Sequence, residues 1–268
     1  MSNSALKIER HGDVEHWTLN DPSSRNALSD AMVVGLYAAC LRARDDTTLR
    51  GVVLTGAGGA FCAGGSLGNF QHLIGQPLAP GDTDPVVGMN RAYGDLLHVL
   101  AALPQWLLCA VDGPAMGGGF GLVCCADLVL ASERATFGTP EVTLGLPPAQ
   151  IAPFVWQRLG DATARQCLLT GVRWTAREAQ AAGLVNTVVA DAELDPAVHT
   201  TTQALLRAAP GAVAATKQLL QRLRGHAPDL REEAALAFAQ ALRGPEAAAG
   251  LAAFARKQPA PWAKGPES

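Results

Sequence analysis

Apolar and polar positions follow two different patterns along this chain, and each pattern predicts a different kind of element. Short, β-branched apolar runs predict buried strands at residues 51–55 and 107–111, and a similar run predicts a strand at 128–131. Two further runs at 6–10 and 14–19, joined by a His-Gly-Asp turn, predict a hairpin. These strands predict the sheet of an α/β body.

Apolar residues spaced three and four positions apart predict amphipathic helices between the strands. In the first helix Ser29 is expected to be the N-cap residue, because its hydroxyl can accept a hydrogen bond from the first turn. Its apolar positions are Val33, Leu36, Tyr37, Cys40 and Leu41. The second helix ends at Pro104, and its apolar positions are Met89, Tyr93, Leu96, Leu97, Leu100 and Leu103.

Beyond residue 149 the pattern is almost wholly helical. Helices are predicted at 149–159, 161–169, 175–182 and 193–208, and in several alanine-rich stretches to about residue 256. Gly183 is expected to end one of them, with a strand at 184–189 after it. Glycine and proline at 75–85 predict a surface loop. The layout is a β/α core at residues 1–190 and a helical region at 191–268.

Composition narrows the classes of function. The 268 residues are 49% hydrophobic, which is enough to bury a full core. The net charge is −3, whereas a nucleic-acid binder is expected to carry an excess of basic residues. No apolar run is long enough to span a membrane and the N-terminus has no signal-peptide pattern, so a cytoplasmic protein is expected. Six cysteines without CxxC spacing predict buried thiols, with neither a metal site nor a disulfide framework.

Two glycine-rich loops carry the candidate chemistry. The first is GAGGAFCAGGSLG at 56–68, and the second is DGPAMGGGFG at 112–121. Such loops expose backbone N–H groups that an approaching ligand can reach. One N–H from each loop, directed at a common point, would form an oxyanion hole. For either loop alone, a tight turn whose glycines serve packing is the alternative.

These loops resemble the first two signatures of the crotonase superfamily, the enoyl-CoA hydratase/isomerase family. Three later segments resemble further blocks of that family in the same order: FGTPEV at 137–142 with LGLPP at 144–148, LTG at 169–171 with 179–185, and GLAAF at 250–254 to Lys257. The resemblance spans nearly the whole chain. It implies a spiral of ββα units with a helical C-terminal trimerisation region, a homotrimer or dimer of trimers, and an acyl-CoA thioester as substrate, with no separate cofactor.

The resemblance also assigns roles to individual positions. The oxyanion donors would be the N–H groups of Gly65 and Gly118, and Glu141 would be the catalytic acid-base group. The residues that would bind the coenzyme A part of the substrate are Arg25, Ala27, Ala63, Gly65, Ser66, Leu67, Phe254 and Lys257. Glu141 could instead pair with an arginine or cap a strand end, and Lys257 could be a solvated surface lysine.

Gly121 departs from the family pattern, because two-glutamate hydratases carry their second acid at this position. Either Glu141 alone moves a proton between Cα and Cγ, which is isomerisation, or it directs water onto Cβ, which is hydration. The run at 146–155, together with Phe-Gly at 120–121 and the tail at 257–262, resembles isohexenylglutaconyl-CoA hydratases and favours hydration of a branched glutaconyl thioester. Arg91 or His98 would bind the distal carboxylate of such a substrate if they face the pocket, although a solvated helix face suits both.

Two other classes of function are compatible with the sequence. GGSLG at 64–68 matches the G-x-S-x-G pattern of serine hydrolases, but the preceding strand ends near Thr55, whereas a nucleophile elbow follows its strand directly. A non-catalytic acyl-CoA binder is the other alternative, because Gly121 removes one acid while Glu141 is retained.

Overall fold

The computed structural model describes residues 5–66, 71, 73–79, 81–223 and 230–263. Within these residues a main sheet has six strands in the order β1-β2-β3-β4-β6-β9, and a smaller sheet has the order β5-β7-β8. The strands are β1 Leu6–His11, β2 Val14–Leu19, β3 Gly51–Gly56, β4 Trp106–Val111, β5 Pro114–Met116, β6 Leu128–Ser132, β7 Thr136–Gly138, β8 Arg173–Thr175 and β9 Thr187–Val189.

The helices cover the sheet and continue beyond it. They are α1 Asp30–Asp45, α2 Pro85–Ala101, α3 Gly118–Cys124, α4 Ala152–Thr170, α5 Ala176–Ala181, α6 Leu194–Leu205, α7 Pro210–Leu223, α8 Arg231–Arg243 and α9 Pro245–Ala255. None of the described helices has the length and apolar character that a membrane span requires.

The main sheet forms as the sequence predicted. Strands β1 and β2 are an antiparallel hairpin in which Leu6 pairs with Leu19, and β2, β3, β4, β6 and β9 run parallel. Every residue of β4 is buried, as expected of a parallel strand covered on both faces. The α/β class is confirmed.

The first helix also forms as predicted, whereas later boundaries differ. Ser29 caps α1 by accepting a hydrogen bond from the N–H of Met32 at 3.3 Å. Helix α2 begins at Pro85, inside the predicted loop, because the Asp84 side chain accepts a hydrogen bond from the N–H of Val86. By contrast, the predicted break between the helices at 149–159 and 161–169 is confirmed, because φ is 74° and ψ is 167° at Gly160 and the backbone leaves the helical conformation there inside α4.

The smaller sheet was not predicted. Its strands have three residues each, which is too short for an alternating pattern to show in the sequence. The predicted strand at 184–189 is likewise reduced to Thr187–Val189, since Leu184 and Val185 belong to the turn after α5. Gly183 follows α5 with φ of +83°, which agrees with its predicted role as a helix end.

Helices after residue 190 share hydrophobic clusters with the preceding part of the chain. Leu194 and Val198 of α6 are buried in a cluster with residues of β2, β3, β4 and β6. Leu242 and Leu251, from α8 and α9, are buried together with Val86 of α2. The C-terminal helices therefore complete the core in addition to any role in assembly, and the division at residue 190 stays a prediction.

Candidate active site

Backbone hydrogen bonds hold the two glycine-rich loops side by side. The N–H groups of Phe61 and Cys62 both donate to the carbonyl of Pro114 at 3.0 Å, and the N–H of Met116 donates to the carbonyl of Cys62 at 2.9 Å. These contacts join the first loop to β5, directly before the second loop turns into α3. The relative position of the two loops is therefore fixed by main chain.

The two predicted oxyanion donors are both unused within the described part of the chain. Around Gly65, the carbonyl of Gly64 accepts from the N–H of Leu28 at 2.8 Å and the N–H of Ser66 donates to Leu28, but the N–H of Gly65 bonds to neither. Gly118 is the first residue of α3, where backbone N–H groups lack intrahelical acceptors. Free N–H groups in neighbouring loops are what an oxyanion hole requires.

Glycine is required at two positions where the loops meet. Gly64 has φ of +100°, and a Cβ atom there would lie 2.9 Å from the carbonyl oxygen of Met116. Gly117 has φ of +51°, and a Cβ atom there would lie 2.7 Å from Oε1 of Glu141. The absent side chain at Gly117 thus lets the carboxyl group approach the loop that carries the Gly118 donor.

Glu141 lies on the 3-10 turn Pro140–Leu144, which follows β7. Its Oε2 atom is buried and has no hydrogen-bond partner among the described residues. Burial raises the pKa of Glu141 to about 7, against a smaller opposing effect of its own backbone N–H. A carboxyl group with a pKa near neutrality can both accept and donate a proton.

One cavity of about 450 Å³ contains most of the predicted site. The predicted residues that line it are Arg25, Ala27, Ala63, Gly65, Ser66, Gly118, Glu141 and Phe254. Leu67 lies outside the described residues. Lys257 is exposed just after α9 and does not line the cavity of this chain, so its predicted contact with coenzyme A stays a prediction.

Apolar side chains form much of the remaining wall, and they include Met89, Val33, Leu146, Pro148, Ile151 and Phe238. Asn90 and Gln150 add a polar pair, in which Nε2 of Gln150 donates to Oδ1 of Asn90 at 2.9 Å. Neither sequence candidate for a carboxylate partner lines the cavity. Arg91 is paired with Glu232, and the His98 ring packs edge-on against Phe154.

Tyr93 is a cavity residue that the sequence placed only among the apolar positions of α2. Its hydroxyl donates to the carbonyl of Gly118 at 2.5 Å. The available signal was chemical, since a buried tyrosine hydroxyl needs a hydrogen-bond partner and the other positions of this stripe are aliphatic or Met. The spacing of apolar residues alone could not show that this partner is the Gly118 carbonyl in the second glycine-rich loop.

The serine-hydrolase pattern lacks the geometry of a nucleophile elbow. Strand β3 ends at Gly56, and Ser66 lies at the far end of the loop, where its N–H is bonded to Leu28. A nucleophile elbow follows its strand directly, whereas Ser66 lies ten positions beyond the end of β3. Among the described residues, no group of three or more histidine, cysteine or acidic side chains is arranged to hold a metal ion.

Comparison with known proteins identifies the family. The model for enoyl-CoA hydratase/isomerase matches residues 9–265. The chain belongs to the enoyl-CoA hydratase/isomerase family. Members of this family hydrate or isomerise acyl-CoA thioesters, and this chain is an enzyme of that kind. The predicted crotonase-type fold is confirmed with it.

Individual relatives agree with this assignment. A solved structure of Pseudomonas aeruginosa AtuE is 42% identical, with a TM-score of 0.78, over 97% of this chain and 100% of its own. The crystal structure of an enoyl-CoA hydratase/isomerase from Marinobacter aquaeolei is 40% identical in sequence, with a TM-score of 0.78. The match covers 97% of this chain and 99% of that one. The 2,3-dehydroadipyl-CoA hydratase of Escherichia coli is 34% identical over 82% of each chain.

Proposed function

We propose that this enzyme adds water to a 2-enoyl-CoA thioester, with Glu141 as its single proton carrier. The observation that carries the proposal is the position of the Glu141 carboxyl group, which lies beside the glycine loop that bears one unused N–H donor. Its buried Oε2 has no partner among the described residues, so the carboxyl group is able to bind a reacting molecule.

The reaction follows from these groups. The thioester oxygen accepts hydrogen bonds from the N–H groups of Gly65 and Gly118, which stabilise the negative charge that develops on it. The Glu141 carboxylate takes one proton from a water molecule as the water oxygen forms its bond to Cβ, and the π electrons move toward the thioester as an enolate. Glu141 then delivers that proton to Cα, which restores its carboxylate and leaves the elements of one water on the product.

The open part of the cavity suits the coenzyme A part of the substrate. Arg25 is exposed at its edge, and within the described residues no ion pair occupies its guanidinium group. A free guanidinium binds phosphate well. Ser66 and Phe254 line the same cavity, and the Phe254 side chain is 63% exposed, so its ring is available to a nucleotide.

For the acyl group we infer a branched chain that ends in a carboxylate, as in a glutaconyl thioester. Apolar side chains of the cavity wall, such as Leu146 and Phe238, can pack against a branched hydrocarbon chain. The amide group of Asn90 accepts a hydrogen bond from Gln150 at Oδ1, so its NH2 group can donate hydrogen bonds to a carboxylate oxygen. The Escherichia coli relative is named for 2,3-dehydroadipyl-CoA, which supports a dicarboxylic acyl group. The resemblance at 146–155 supports the branched form.

The test compares 2-enoyl, 3-enoyl and branched glutaconyl thioesters, with absorbance of the conjugated thioester and product mass followed together. Wild type should add one water, with the highest kcat/KM on the branched substrate, and Glu141→Gln should abolish addition. Glu233→Gln, which changes an exposed glutamate of α8 in the same way, is the matched control and should leave turnover unchanged.

Isomerisation is the second candidate, and the observation that favours it is the absence of an acidic side chain at Gly121. New conjugation from a 3-enoyl thioester, without a change in mass and dependent on Glu141, would establish isomerisation in place of hydration. Binding of every thioester without turnover by wild type would contradict both hydration and isomerisation of these substrates.

A further inference from the structure

The space beside Gly121 is already filled in this protein. A Cβ atom at Gly121 would lie 2.4 Å from Cγ2 of Ile151 and 2.7 Å from the hydroxyl oxygen of Tyr93. Gly121 is buried in α3, so a side chain there could not turn outward. A hydroxyl group and an aliphatic carbon therefore stand where a side chain of residue 121 would project.

The Tyr93 hydroxyl and the Glu141 carboxyl group each lie close to one of two adjacent glycines of the second glycine-rich loop. The hydroxyl oxygen is 3.3 Å from the position that a Cβ of Gly118 would take, and Oε1 of Glu141 is 2.7 Å from the equivalent position on Gly117. Tyr93 and Glu141 also line the same cavity.

The hydrogen bond to Gly118 fixes how the hydroxyl can act. Because Tyr93 donates its proton to the Gly118 carbonyl, its oxygen lone pairs remain available as acceptors. A water molecule has two hydrogens, and in the proposed hydration Glu141 receives only one of them. The second hydrogen needs an acceptor in the cavity if the water oxygen is to be held toward Cβ.

We propose that Tyr93 is a catalytic residue that binds the attacking water through its hydroxyl oxygen, which itself stands where a side chain at residue 121 would otherwise project. This inference rests on the proposed hydration. The water donates one hydrogen bond to Tyr93 and the other to Glu141. When its oxygen bonds to Cβ, the proton directed at Glu141 is transferred, and the O–H bond directed at Tyr93 stays intact in the product.

Tyr93 holds the water and does not take its proton. Burial raises the pKa of Tyr93 well above its usual value, and the charge of Glu141 acts in the same direction. The phenol consequently stays neutral throughout the working range, and Glu141 remains the proton carrier.

The experiment separates water addition from enolate formation. Wild type, Tyr93→Phe and Tyr37→Phe are each tested for hydration of the substrate that wild type prefers, and for exchange of the Cα hydrogen of a saturated acyl-CoA in deuterated water. Exchange needs Glu141 and the oxyanion hole but no attack on Cβ. The chain has two tyrosines, so Tyr37→Phe on α1 is a matched control.

We expect Tyr93→Phe to lower kcat for hydration by about 10²-fold with KM within about twofold, while exchange and the Tyr37→Phe control stay at the wild-type rate. Unchanged hydration in Tyr93→Phe would overturn the inference. A parallel loss of exchange would also overturn it, because Tyr93 would then act by positioning Gly118. Wild type that exchanges Cα hydrogen but adds no water would instead refute the proposed function, and this inference with it.

Discussion

At the scale of single residues, the ionisation of Glu141 sets the pH dependence of activity. Hydration starts with the carboxylate form, and burial raises the pKa of this group to about 7. Activity should therefore be low when Glu141 is protonated and should rise as the pH passes through about 7. We expect kcat/KM for hydration, measured between about pH 5.5 and 8.5, to increase and then level off.

The control for this profile is the exchange reaction on a saturated thioester, which begins with the same carboxylate and should show the same inflection. An inflection that occurs in hydration alone would assign the ionisation to another group. A hydration profile that is flat across the range would contradict the assignment of Glu141 as the base.

The close contacts of Gly121 lead to a second residue-scale prediction. Alanine ordinarily stabilises a helix by about 1 kcal/mol relative to glycine, but here its methyl group would meet Ile151 at 2.4 Å. We expect Gly121→Ala to lower the free energy of unfolding by about 1–3 kcal/mol, measured by urea denaturation.

Two further variants make this prediction specific. Gly88→Ala on α2 has no atom within 4 Å of the new methyl group, so it should leave stability unchanged or raise it slightly. Adding Ile151→Ala to Gly121→Ala should cost less than the sum of the single changes, since the two residues compete for one volume. Strict additivity would show that Ile151 is not the obstacle.

At the scale of elements, an ion pair joins the C-terminal helix α8 to the start of α2. Arg243 donates two hydrogen bonds to the Asp84 carboxylate, at 2.5 and 2.7 Å, and their side chains are only 11% and 10% exposed. We expect Arg243→Ala to destabilise the protein by about 3 kcal/mol, because Asp84 would be left as a nearly buried charge. Chemical denaturation measures the effect.

The matched control is Arg177→Ala. Arg177 pairs with Glu133 on the surface, where the side chains are 69% and 53% exposed, so its loss should cost less than about 1 kcal/mol. Equal losses for the two arginines would mean that burial adds nothing to the pair with Asp84.

Long elements could be predicted from the sequence, whereas the three-residue strands and the start of α2 could not. Strand β4 and helix α1 have enough apolar positions to show their period, and Ser29 marks a boundary by its chemistry. The three-residue strands show no period. Strand β5 is bonded to the first loop through Pro114 and Met116, β7 pairs with β5, and β8 pairs with β7. The start of α2 depends on Asp84, which gains its partner from a distant helix.

The residues of the candidate site also fall into two groups, those that the sequence could name and those that it could not. Gly65, Gly118 and Glu141 occur in contiguous motifs, so the sequence was sufficient to name them. Tyr93 and Gln150 enter the cavity from α2 and from the turn before α4, and their partners are distant in sequence. A single sequence contains no information about such pairs, and only the folded chain brings them together.

At the scale of the whole molecule, the exposed apolar side chains of the C-terminal helices favour assembly. Leu219 of α7, Leu236 of α8 and Trp262 beyond α9 are each at least 42% exposed. Exposed apolar side chains of this size suit an interface between subunits. We expect light scattering with size-exclusion chromatography to give a mass of three chains or a multiple of three.

The control is to repeat the mass measurement at high salt concentration. An interface formed by apolar side chains should persist at high ionic strength, whereas association through surface charges should weaken. A single-chain mass at micromolar concentration would contradict the predicted trimer.

The filled space beside Gly121 also restricts how this protein could change over evolutionary time. A single substitution that introduced glutamate at 121 would meet both Ile151 and Tyr93, so it would harm the fold before it could improve catalysis. Gaining a second acid at this position requires smaller or displaced side chains at those two residues first, and the first of these changes would bring no benefit by itself. A single mutation of the present sequence therefore cannot supply a usable acid at position 121, and the one-acid arrangement is self-preserving.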